Sequence, residues 1–193
     1  MNSSWSFYKD SICGWVTWDG AFTEDECEWI IEYGKLVQSY NGTIGVEGKE
    51  LDKTIRDSKV SWLVPAKEFE WVYDRLTAVV MDVNINNYRF DLFGFQEALQ
   101  FTEYNEPGGH YGKHVDNMYK GPIRKLSVIV QLSDPSKYEG GDIEMHLADE
   151  PTIMDKKRGD VIIFPSSVLH AVTPVTKGTR HSLVGWITGK PFT

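Results

Sequence analysis

The stretch GDVIIFPSSVLHAVTPVT, residues 159–176, decides the fold. Its apolar residues fall in two short runs, DVIIFPS (160–166) and LHAVTPV (169–175), with a turn between them. A third run, RHSLVGWITG (180–189), follows after Gly178. Short apolar runs that are bounded by turn residues are typical of buried β-strands, so we predict three strands here.

From about residue 98 the same strand pattern is present. The runs are ALQFTEY (98–104), LSVIVQLS (126–133) and GDIEMHL (141–147). Gly, Pro, Asp and Lys separate the runs, and alternate residues of each run would share one face of a strand. Six or more short strands with no helices between them favour an antiparallel barrel or a double-sheet jelly roll.

The first 90 residues contain helical signals instead. FTEDECEWIIEYGKL (22–36) begins at Thr23 and has Glu26 three residues later, which is the pattern of a capping box. Its predicted apolar face consists of Trp29, Ile30, Tyr33 and Leu36 or Val37. A second amphipathic helix is predicted for AKEFEWVYDRLTAVVMDVNINNY (66–88), and KVSWLV (59–64) is predicted to be a strand.

These patterns predict a single domain over residues 1–193 that is mainly β with flanking α. Residues 95–189 would form the jelly-roll core, and residues 1–90 would form a helical flank whose helices pack on one sheet. The flank includes SYNGTIGVEGKELDKTIRDS (39–58), which is rich in Gly and charge. That stretch is as compatible with a lid over a site as with a plain solvated connection.

Composition narrows the possible functions. The formal net charge is −8, so the chain gains no general electrostatic attraction to nucleic acid. We see neither an apolar run of about 18 residues nor a basic segment leading into an apolar run, so no membrane span and no signal peptide are expected. Cys13 and Cys27 lack the spacing of a disulfide framework. We therefore expect free thiols and a soluble cytoplasmic protein.

A candidate metal site begins in GGHYGKHVDNMYKG (108–121), which contains His114 and Asp116. On a strand, residues two apart share a face, so both side chains could bind one metal ion. The motif alone is weak, because a chain with 5 histidines often contains a His-x-Asp by chance. His170 strengthens the case, because burying an imidazole in an apolar strand without a partner costs about 1–3 kcal/mol.

Two histidines and one carboxylate would leave three positions open on an octahedral ion. That donor set is typical of non-haem Fe(II) sites that activate oxygen, and not of closed structural zinc sites. A chelating oxo-acid can take two of the open positions and O2 the third. Arg180 and Ser182 lie two apart on one predicted strand, where they could bind the far carboxylate of such an acid.

Four segments carry a resemblance to a known family. They are Tyr104-x9-His114-x-Asp116-Asn117, LSVIVQLSDPSKYEGGDIE (126–144), GDVIIFPSSVLHAVTPVT (159–176) and GTRHSLVGWITG (178–189). Together they resemble the Fe(II)/2-oxoglutarate-dependent dioxygenases of the prolyl 4-hydroxylase type, including its bacterial and phage hydroxylases. The resemblance implies a double-stranded β-helix in which His114, Asp116 and His170 hold Fe(II). It also implies that Arg180 binds the C5 carboxylate of 2-oxoglutarate.

Further residues are assigned around that site. Tyr104 stands where family members often place a tyrosine that reaches the same carboxylate, and Trp186 matches a position that lines the site in related animal prolyl hydroxylases. Gln131 departs from the family, because some relatives have a second tyrosine there, so the co-substrate pocket is expected to differ in detail. Tyr111 would contact substrate or co-substrate or else form barrel wall, and Asn117 would lie in the motif loop beside the substrate.

The other histidines are not expected to hold iron. His110 is predicted to lie in a loop near the mouth of the barrel, and His181 is predicted to point away from Arg180. His146 follows Asp142 and Glu144 with a period of two, which is typical of a solvated strand face.

The resemblance implies an enzyme that hydroxylates an unactivated C–H bond and releases succinate and CO2. The substrate would be a prolyl residue of a peptide or protein, the co-substrates 2-oxoglutarate and O2, and ascorbate would keep Fe2+ reduced. One alternative is the same chemistry on a free amino acid, a small metabolite or a nucleobase. Another is a cupin-like metal- or sugar-binding module without oxygenase activity. Cupins lack the pairing of Arg180 with Ser182, so tight binding of 2-oxoglutarate would distinguish the two.

Overall fold

A computed structural model describes residues 13–44, 50–116 and 121–191. In these residues the chain is mainly β, with two α-helices, α1 (Glu24–Leu36) and α2 (Glu70–Val83). The strands in chain order are β1 (Val16–Trp18), β2 (Ser39–Asn41), β3 (Arg56–Asp57), β4 (Lys59–Leu63), β5 (Leu92–Phe95), β6 (Leu99–Asn105), β7 (His110–His114), β8 (Arg124–Gln131), β9 (Glu139–Gly140), β10 (Ile143–Met145), β11 (Thr152–Ile153), β12 (Val161–Pro165), β13 (His170–Val172), β14 (Val175–Lys177) and β15 (Thr179–Gly189). No helix of this described part is long and apolar enough to cross a membrane.

The strands form two main antiparallel sheets. The larger has the order β1-β12-β8-β15-β6-β4-β2, with β5 paired to β15, and the smaller has the order β11-β10-β13-β7-β3. Strands β14 and β9 form a separate pair. Most neighbours in the two main sheets are distant in sequence, as they are in a jelly roll. The predicted jelly-roll fold is confirmed.

Strand β8 shows how the layers pack. Val128 and Val130 belong to a core shared with the two helices, whereas Ile129 belongs to a second core with residues of the smaller sheet. Because side chains of a strand alternate between faces, the helices cover the outer face of the larger sheet. The inner face meets the smaller sheet. The helix residues in the first core include Cys27, Ile30, Ile31, Val72, Leu76, Val79, Val80 and Val83.

The first predicted helix is confirmed, and its predicted face is correct in part: Ile30 is buried and Tyr33 and Val37 pack against the core, whereas Trp29 and Leu36 are exposed. The Thr23 hydroxyl accepts a hydrogen bond from the Glu26 N–H at 3.2 Å, and the Glu26 carboxylate accepts one from the Thr23 N–H at 2.9 Å, so the capping box is formed. Leu36 is 86% exposed. The buried residues are Cys27, Ile30, Ile31 and Gly34. Gly34 lies so close to the Phe101 ring that a Cβ would be 2.6 Å from it. The side of the helix that carries Gly34 therefore faces inward.

The second helix is shorter than predicted. It begins at Glu70, because the residues before it form a turn in which the Phe69 N–H donates to the Ala66 carbonyl. After Val83 the chain makes one π-helical turn, Asn84–Tyr88. Arg89 then has a left-handed φ of 54°, which ends the helix.

Two strand predictions were wrong in extent. The predicted strand over 169–175 is divided into β13 and β14, which pair in different sheets, because Pro174 between them has no N–H for a ladder. The predicted loop over 39–58 has β2 and β3 at its two ends, and its residues 45–49 lie outside the described ones. Strand β3 pairs with β7, so this segment is attached beside the end of β7.

Candidate metal and co-substrate site

The structure brings together the three predicted metal ligands. His114 ends β7, His170 begins β13, and the two residues are paired across these strands. Nε2 of each ring lies 3.6 Å from a carboxylate oxygen of Asp116, Oδ1 for His114 and Oδ2 for His170. All three ligand atoms lie within 4.8 Å of one another. Two imidazole nitrogens and one carboxylate oxygen thus converge on one point, from which a single ion could be held.

Asp116 does not share a strand face with His114, as the sequence pattern had suggested. Strand β7 ends at His114, and the chain then leaves the sheet. The Asp116 N–H donates to the Ser166 carbonyl at 2.9 Å, and the Ser127 hydroxyl donates to Asp116 Oδ2 at 2.7 Å. The carboxylate is therefore placed by contacts with β8 and with the turn that follows β12.

Backbone carbonyls orient both imidazole rings. His114 Nδ1 lies 2.8 Å from the Gly112 carbonyl oxygen, and His170 Nδ1 lies 3.0 Å from the Val168 carbonyl oxygen. A carbonyl can only accept, so Nδ1 carries the proton in each ring and Nε2 has the free lone pair. Both free lone pairs are on the nitrogen that faces Asp116. This is the arrangement by which proteins fix a metal-binding histidine.

The ionisation of these residues suits a divalent cation. Burial lowers the pKa of His114 to about 4, and the neighbouring His170 acts in the same direction. Burial opposes the charge of Asp116, but the adjacent His170 and His114 outweigh it and lower the pKa of the carboxyl below its usual value. At neutral pH His114 is neutral and Asp116 is ionised, which is the state that metal binding requires.

Arg180 lies in β15 and is only 1% exposed. One guanidinium nitrogen donates to Gln131 Oε1 at 2.9 Å and another to the Ser182 hydroxyl at 3.5 Å. Its Nε is buried and has no hydrogen-bond partner among the described residues, nor does any acid of that part of the chain form an ion pair with it. A buried guanidinium with neutral partners is poorly compensated, so this position favours a carboxylate ligand.

Contacts between aromatic and apolar side chains connect Arg180 to the metal ligands. The Arg180 guanidinium lies 5.5 Å from the centre of the Tyr104 ring. Tyr104 packs with Val172 and with Tyr111, whose ring is stacked on His114 at 3.5 Å between centres. An acid held by Arg180 would therefore extend along a mainly apolar wall toward the three converging ligands.

Gln131 contacts Arg180 directly. Its Oε1 accepts from Arg180, and its Nε2 donates to the Asp155 carbonyl at 2.9 Å. It therefore holds the guanidinium in place and presents an acceptor to it. Ser182 is directed at Arg180 as predicted, although at 3.5 Å the bond is long.

Trp186 lies near the metal ligands, on the side away from Arg180. It pairs across the sheet with Ser127, the residue that donates to Asp116. The Arg124 guanidinium covers its ring at 3.9 Å and forms two hydrogen bonds with the Glu97 carboxylate. The Trp186 indole nitrogen is buried and faces the Asp116 carboxylate, whose pKa the indole helps to lower.

The sequence pattern missed Arg56, which lies behind the metal-binding strand. It is 7% exposed and donates to the Ser58 hydroxyl at 2.9 Å and to Gln100 Oε1 at 2.8 Å. Its guanidinium lies 4.5 Å from the centre of the Tyr111 ring, on the face that does not contact His114. No motif marks Arg56, because its burial depends on the pairing of β3 with β7. Ser127 was missed too, although a serine within the apolar run LSVIVQL was a visible signal.

The remaining predicted residues lie apart from the ligands. Both nitrogens of His110 face backbone carbonyls, those of Gly108 and Thr54, so its ring is engaged at the start of β7. His146 contacts Glu144, and His181 contacts Ser133 and Glu103 on the opposite face of β15 from Arg180. Asn117 lies outside the described residues.

Comparison with known sequences identifies the region that contains this site. Residues 99–188 match the model of the 2OG-Fe(II) oxygenase superfamily. A PKHD-type hydroxylase of Prochlorococcus marinus is 44% identical over 113 residues, which are 58% of this chain and 50% of that protein. A PKHD-type hydroxylase of Synechococcus elongatus is 35% identical over 120 residues, 58% of this chain and 53% of that protein. The chain thus spans about half the length of the curated relatives it matches.

Solved structures share the fold over nearly all of the chain. A prolyl-4-hydroxylase of Pseudomonas putida superposes with a TM-score of 0.71 at 22% identity and covers 92% of this chain and 94% of its own. A prolyl hydroxylase of Trichoplax adhaerens, solved in complex with a hypoxia inducible factor oxygen degradation domain peptide fragment, gives 0.76 at 15% identity, covering 91% and 84%. At these identities the likeness establishes the fold.

Proposed function

We propose that this chain, whose residues 99–188 match the model of the 2OG-Fe(II) oxygenase superfamily, is an oxygenase of that superfamily and hydroxylates an unactivated C–H bond of its substrate. The co-substrates are 2-oxoglutarate and O2. One oxygen atom becomes the new hydroxyl group, and the other enters succinate as 2-oxoglutarate loses CO2. Iron and the oxo-acid supply the oxidising power when they are bound, and the protein supplies binding, orientation and exclusion of water.

One observation carries this proposal: a buried arginine that lacks an acid partner lies along the same wall as two histidines and an aspartate. The unpartnered Nε of Arg180 and the buried Asp116 charge between two imidazole rings are each incomplete without a ligand. A dicarboxylic oxo-acid and a divalent cation would complete both. A metal module without a co-substrate would account for the three ligands and leave Arg180 unexplained.

The residues would divide the work as follows. His114, Asp116 and His170 would hold Fe(II), and Ser127 would keep the carboxylate in its orientation through the 2.7 Å hydrogen bond. Arg180, aligned by Gln131, would bind the distal carboxylate of 2-oxoglutarate. The apolar side chains beside Tyr104 would exclude water from the path between them.

We propose a prolyl residue of a peptide or protein as the substrate. The matched relatives are named PKHD-type hydroxylases, and the Trichoplax neighbour was solved with a peptide. In this chain Trp62 is 38% exposed and lies 6.2 Å from Trp186 between ring centres, so two flat indoles stand at one edge of the site. Flat aromatic surfaces pack well against a pyrrolidine ring.

Two accessory properties belong to the same proposal. Ascorbate would increase the number of turnovers by returning iron to the ferrous state. The free thiols, exposed Cys13 and buried Cys27, support work in the reducing cytoplasm, where such thiols persist.

The test is turnover with defined substrates. Fe(II)-loaded protein is incubated with 2-oxoglutarate, O2 and ascorbate, together with proline-containing peptides, free amino acids or nucleobases. We expect succinate formation to rise with a peptide, and that peptide to gain one oxygen atom by mass spectrometry. The variant His170→Ala should do neither. Oxygen added to a free amino acid or a nucleobase would refute the peptide substrate, and no succinate under any condition would refute the reaction.

A further inference from the structure

The distal carboxylate of the co-substrate could accept hydrogen bonds from donors beside Arg180, because its two oxygens have about four lone-pair sites. Gln131 is not placed as such a donor, because the end of its amide that faces Arg180 is the oxygen, an acceptor, and its nitrogen donates to the Asp155 carbonyl. The Ser182 hydroxyl lies 3.5 Å from Arg180 on the same strand face. The remaining hydroxyls near the guanidinium are phenolic, those of Tyr104 and Tyr138.

Tyr138 lies between the 3-10 turn Pro135–Lys137 and strand β9, and it is 5% exposed. Two glycines allow it to come close to Arg180. A Cβ at Gly178 would be 2.3 Å from the Lys137 carbonyl oxygen and 3.3 Å from Tyr138 Cα. A Cβ at Gly141 would be 2.9 Å from Arg180 Cδ and 3.4 Å from Tyr138 Cε2. The Tyr138 ring and the Arg180 side chain thus both border the space that a side chain at position 141 would occupy.

Lys156 fixes the tyrosine ring from its other side. Its ammonium group lies 5.0 Å from the centre of the Tyr138 ring. It is held there by the Asp142 carboxylate at 2.8 Å and by the Gly140 carbonyl at 2.6 Å. The ring therefore has little freedom to turn away from Arg180.

The Tyr138 hydroxyl is available as a donor. This hydroxyl has a side-chain hydrogen bond with Arg180, and because a guanidinium can only donate, the phenol proton is left for a ligand. Burial raises the pKa of Tyr138 and the Arg180 charge only partly opposes this, so the phenol stays protonated at neutral pH. A protonated phenol beside a guanidinium offers a carboxylate a charge-assisted O–H donor in addition to the ion pair.

We propose that Tyr138 donates a hydrogen bond to the distal carboxylate of 2-oxoglutarate and, with Arg180, makes the pocket selective for a dicarboxylic oxo-acid. The inference rests on the proposed function, because it assigns a residue to the co-substrate of that reaction. It also accounts for a glutamine at position 131: this chain uses Gln131 to align Arg180 and takes the hydroxyl from Tyr138.

The test compares two acids that differ only at the distal end. Fe(II)-loaded protein is titrated anaerobically with 2-oxoglutarate, or with 2-oxopentanoate, which has a methyl group in place of the distal carboxylate, and the visible charge-transfer band gives Kd. The variant is Tyr138→Phe. The matched control is Tyr88→Phe, which also removes a buried phenol hydroxyl, one that donates at 3.0 Å to the Ile163 carbonyl in the helix-sheet core.

We expect Tyr138→Phe to weaken 2-oxoglutarate about 10-fold, as for loss of a hydrogen bond to a charged group, and to leave 2-oxopentanoate unchanged. Tyr88→Phe should change neither Kd. Equal weakening of both acids by Tyr138→Phe would mean general damage to the site, and an unchanged Kd for 2-oxoglutarate would mean that Tyr138 makes no contact; either overturns the inference. If wild-type protein gives no band with 2-oxoglutarate, the proposed function itself has failed.

Discussion

Asp116 lies between two imidazole rings and is 8% exposed, so little water compensates its charge. The Ser127 hydroxyl binds one oxygen of its carboxylate, and its N–H binds the Ser166 carbonyl. Burying a carboxylate away from water is costly until a cation arrives. At the scale of single residues, the metal site therefore depends on one negative charge.

Replacing Asp116 with asparagine should keep the shape of this side chain and remove its charge. We expect Asp116→Asn to lower the affinity for Fe(II) by more than about 100-fold, because even residues that only orient a ligand cost about 10- to 100-fold when lost. Titration with Fe(II) under anaerobic conditions measures this. Asp74→Asn, at an exposed position of α2, is the control and should bind iron as the wild type does. Tight iron binding by Asp116→Asn would contradict the assignment.

Sequence alone could suggest residues whose chemistry is unusual for their position. His170 and Arg180 lie in apolar strands, where a polar side chain needs a partner. The motif His114-x-Asp116 supplies candidate partners for His170 around a shared metal ion. The commitment of Gln131 to Arg180 and the stack of Arg56 on Tyr111 could not be predicted. Both depend on which strands become neighbours, and strand periodicity carries no information on that.

At the scale of elements, an ion pair joins the two helices. Arg75 of α2 binds the Glu26 carboxylate in the first turn of α1, and its guanidinium lies 5.0 Å from the Trp71 ring and 5.2 Å from the Phe22 ring. Glu26 also closes the capping box with Thr23. The Arg75 hydrogen bond, together with those from Thr23, lowers the pKa of Glu26 below its usual value although partial burial opposes this.

This contact should make stability depend on pH. A carboxyl whose pKa is lowered by folding stabilises the protein above its unfolded pKa of 4.5, and the stabilisation is lost as pH falls through the folded value. Glu26→Gln keeps a capping-box residue and loses the ion pair. We expect it to reduce the free energy of unfolding by up to about 1 kcal/mol at pH 7 and by nothing in strong acid.

Urea denaturation of both proteins at several pH values measures the difference. Thr23→Ala, which removes the cap and keeps Arg75 opposite Glu26, is the comparison variant, and its cost of about 1 kcal/mol should persist at neutral pH. A difference between Glu26→Gln and wild type that stays constant down to strong acid would show that the ion pair contributes nothing.

Strands could be predicted where the sequence has a clear apolar pattern. They could not be predicted where the chain passes from one sheet to another. The short apolar runs located β6, β8, β12 and β15, because these strands are mostly buried. The run over 169–175 predicts one strand, so its division at Pro174 into two sheets was hidden. Strands β1 and β5 are too short to show a period.

At the scale of the whole molecule, one core connects the helices to the larger sheet. The aromatic residues Phe22, Phe69 and Phe101 lie in the same cluster as Val128 of β8. We propose on this basis that the flank and the jelly roll fold as one domain over residues 1–193. The order of strands within the sheets was beyond prediction, because pairing partners such as β8 and β15 are far apart in sequence.

Ligand binding should therefore stabilise the whole chain in one transition. With Fe(II) and 2-oxoglutarate each at about 100 times its Kd, linkage adds about 2.7 kcal/mol for each ligand, or about 5.4 kcal/mol together, which for a chain of this size raises Tm by roughly 10–20 °C. Anaerobic calorimetry measures this, and addition of a chelator should reverse it. A second transition would refute the single domain. A Tm that changes neither with the ligands nor with the chelator would refute binding to the native state.

The central claim is that His114, Asp116 and His170 hold iron on which 2-oxoglutarate binds. The most direct measurement is anaerobic titration of the Fe(II)-loaded protein with 2-oxoglutarate, followed by the weak visible metal-to-ligand charge-transfer band. The account predicts that the band appears in the wild type and is absent in His170→Ala. Iron that binds without giving the band, or a band that survives in His170→Ala, would contradict it.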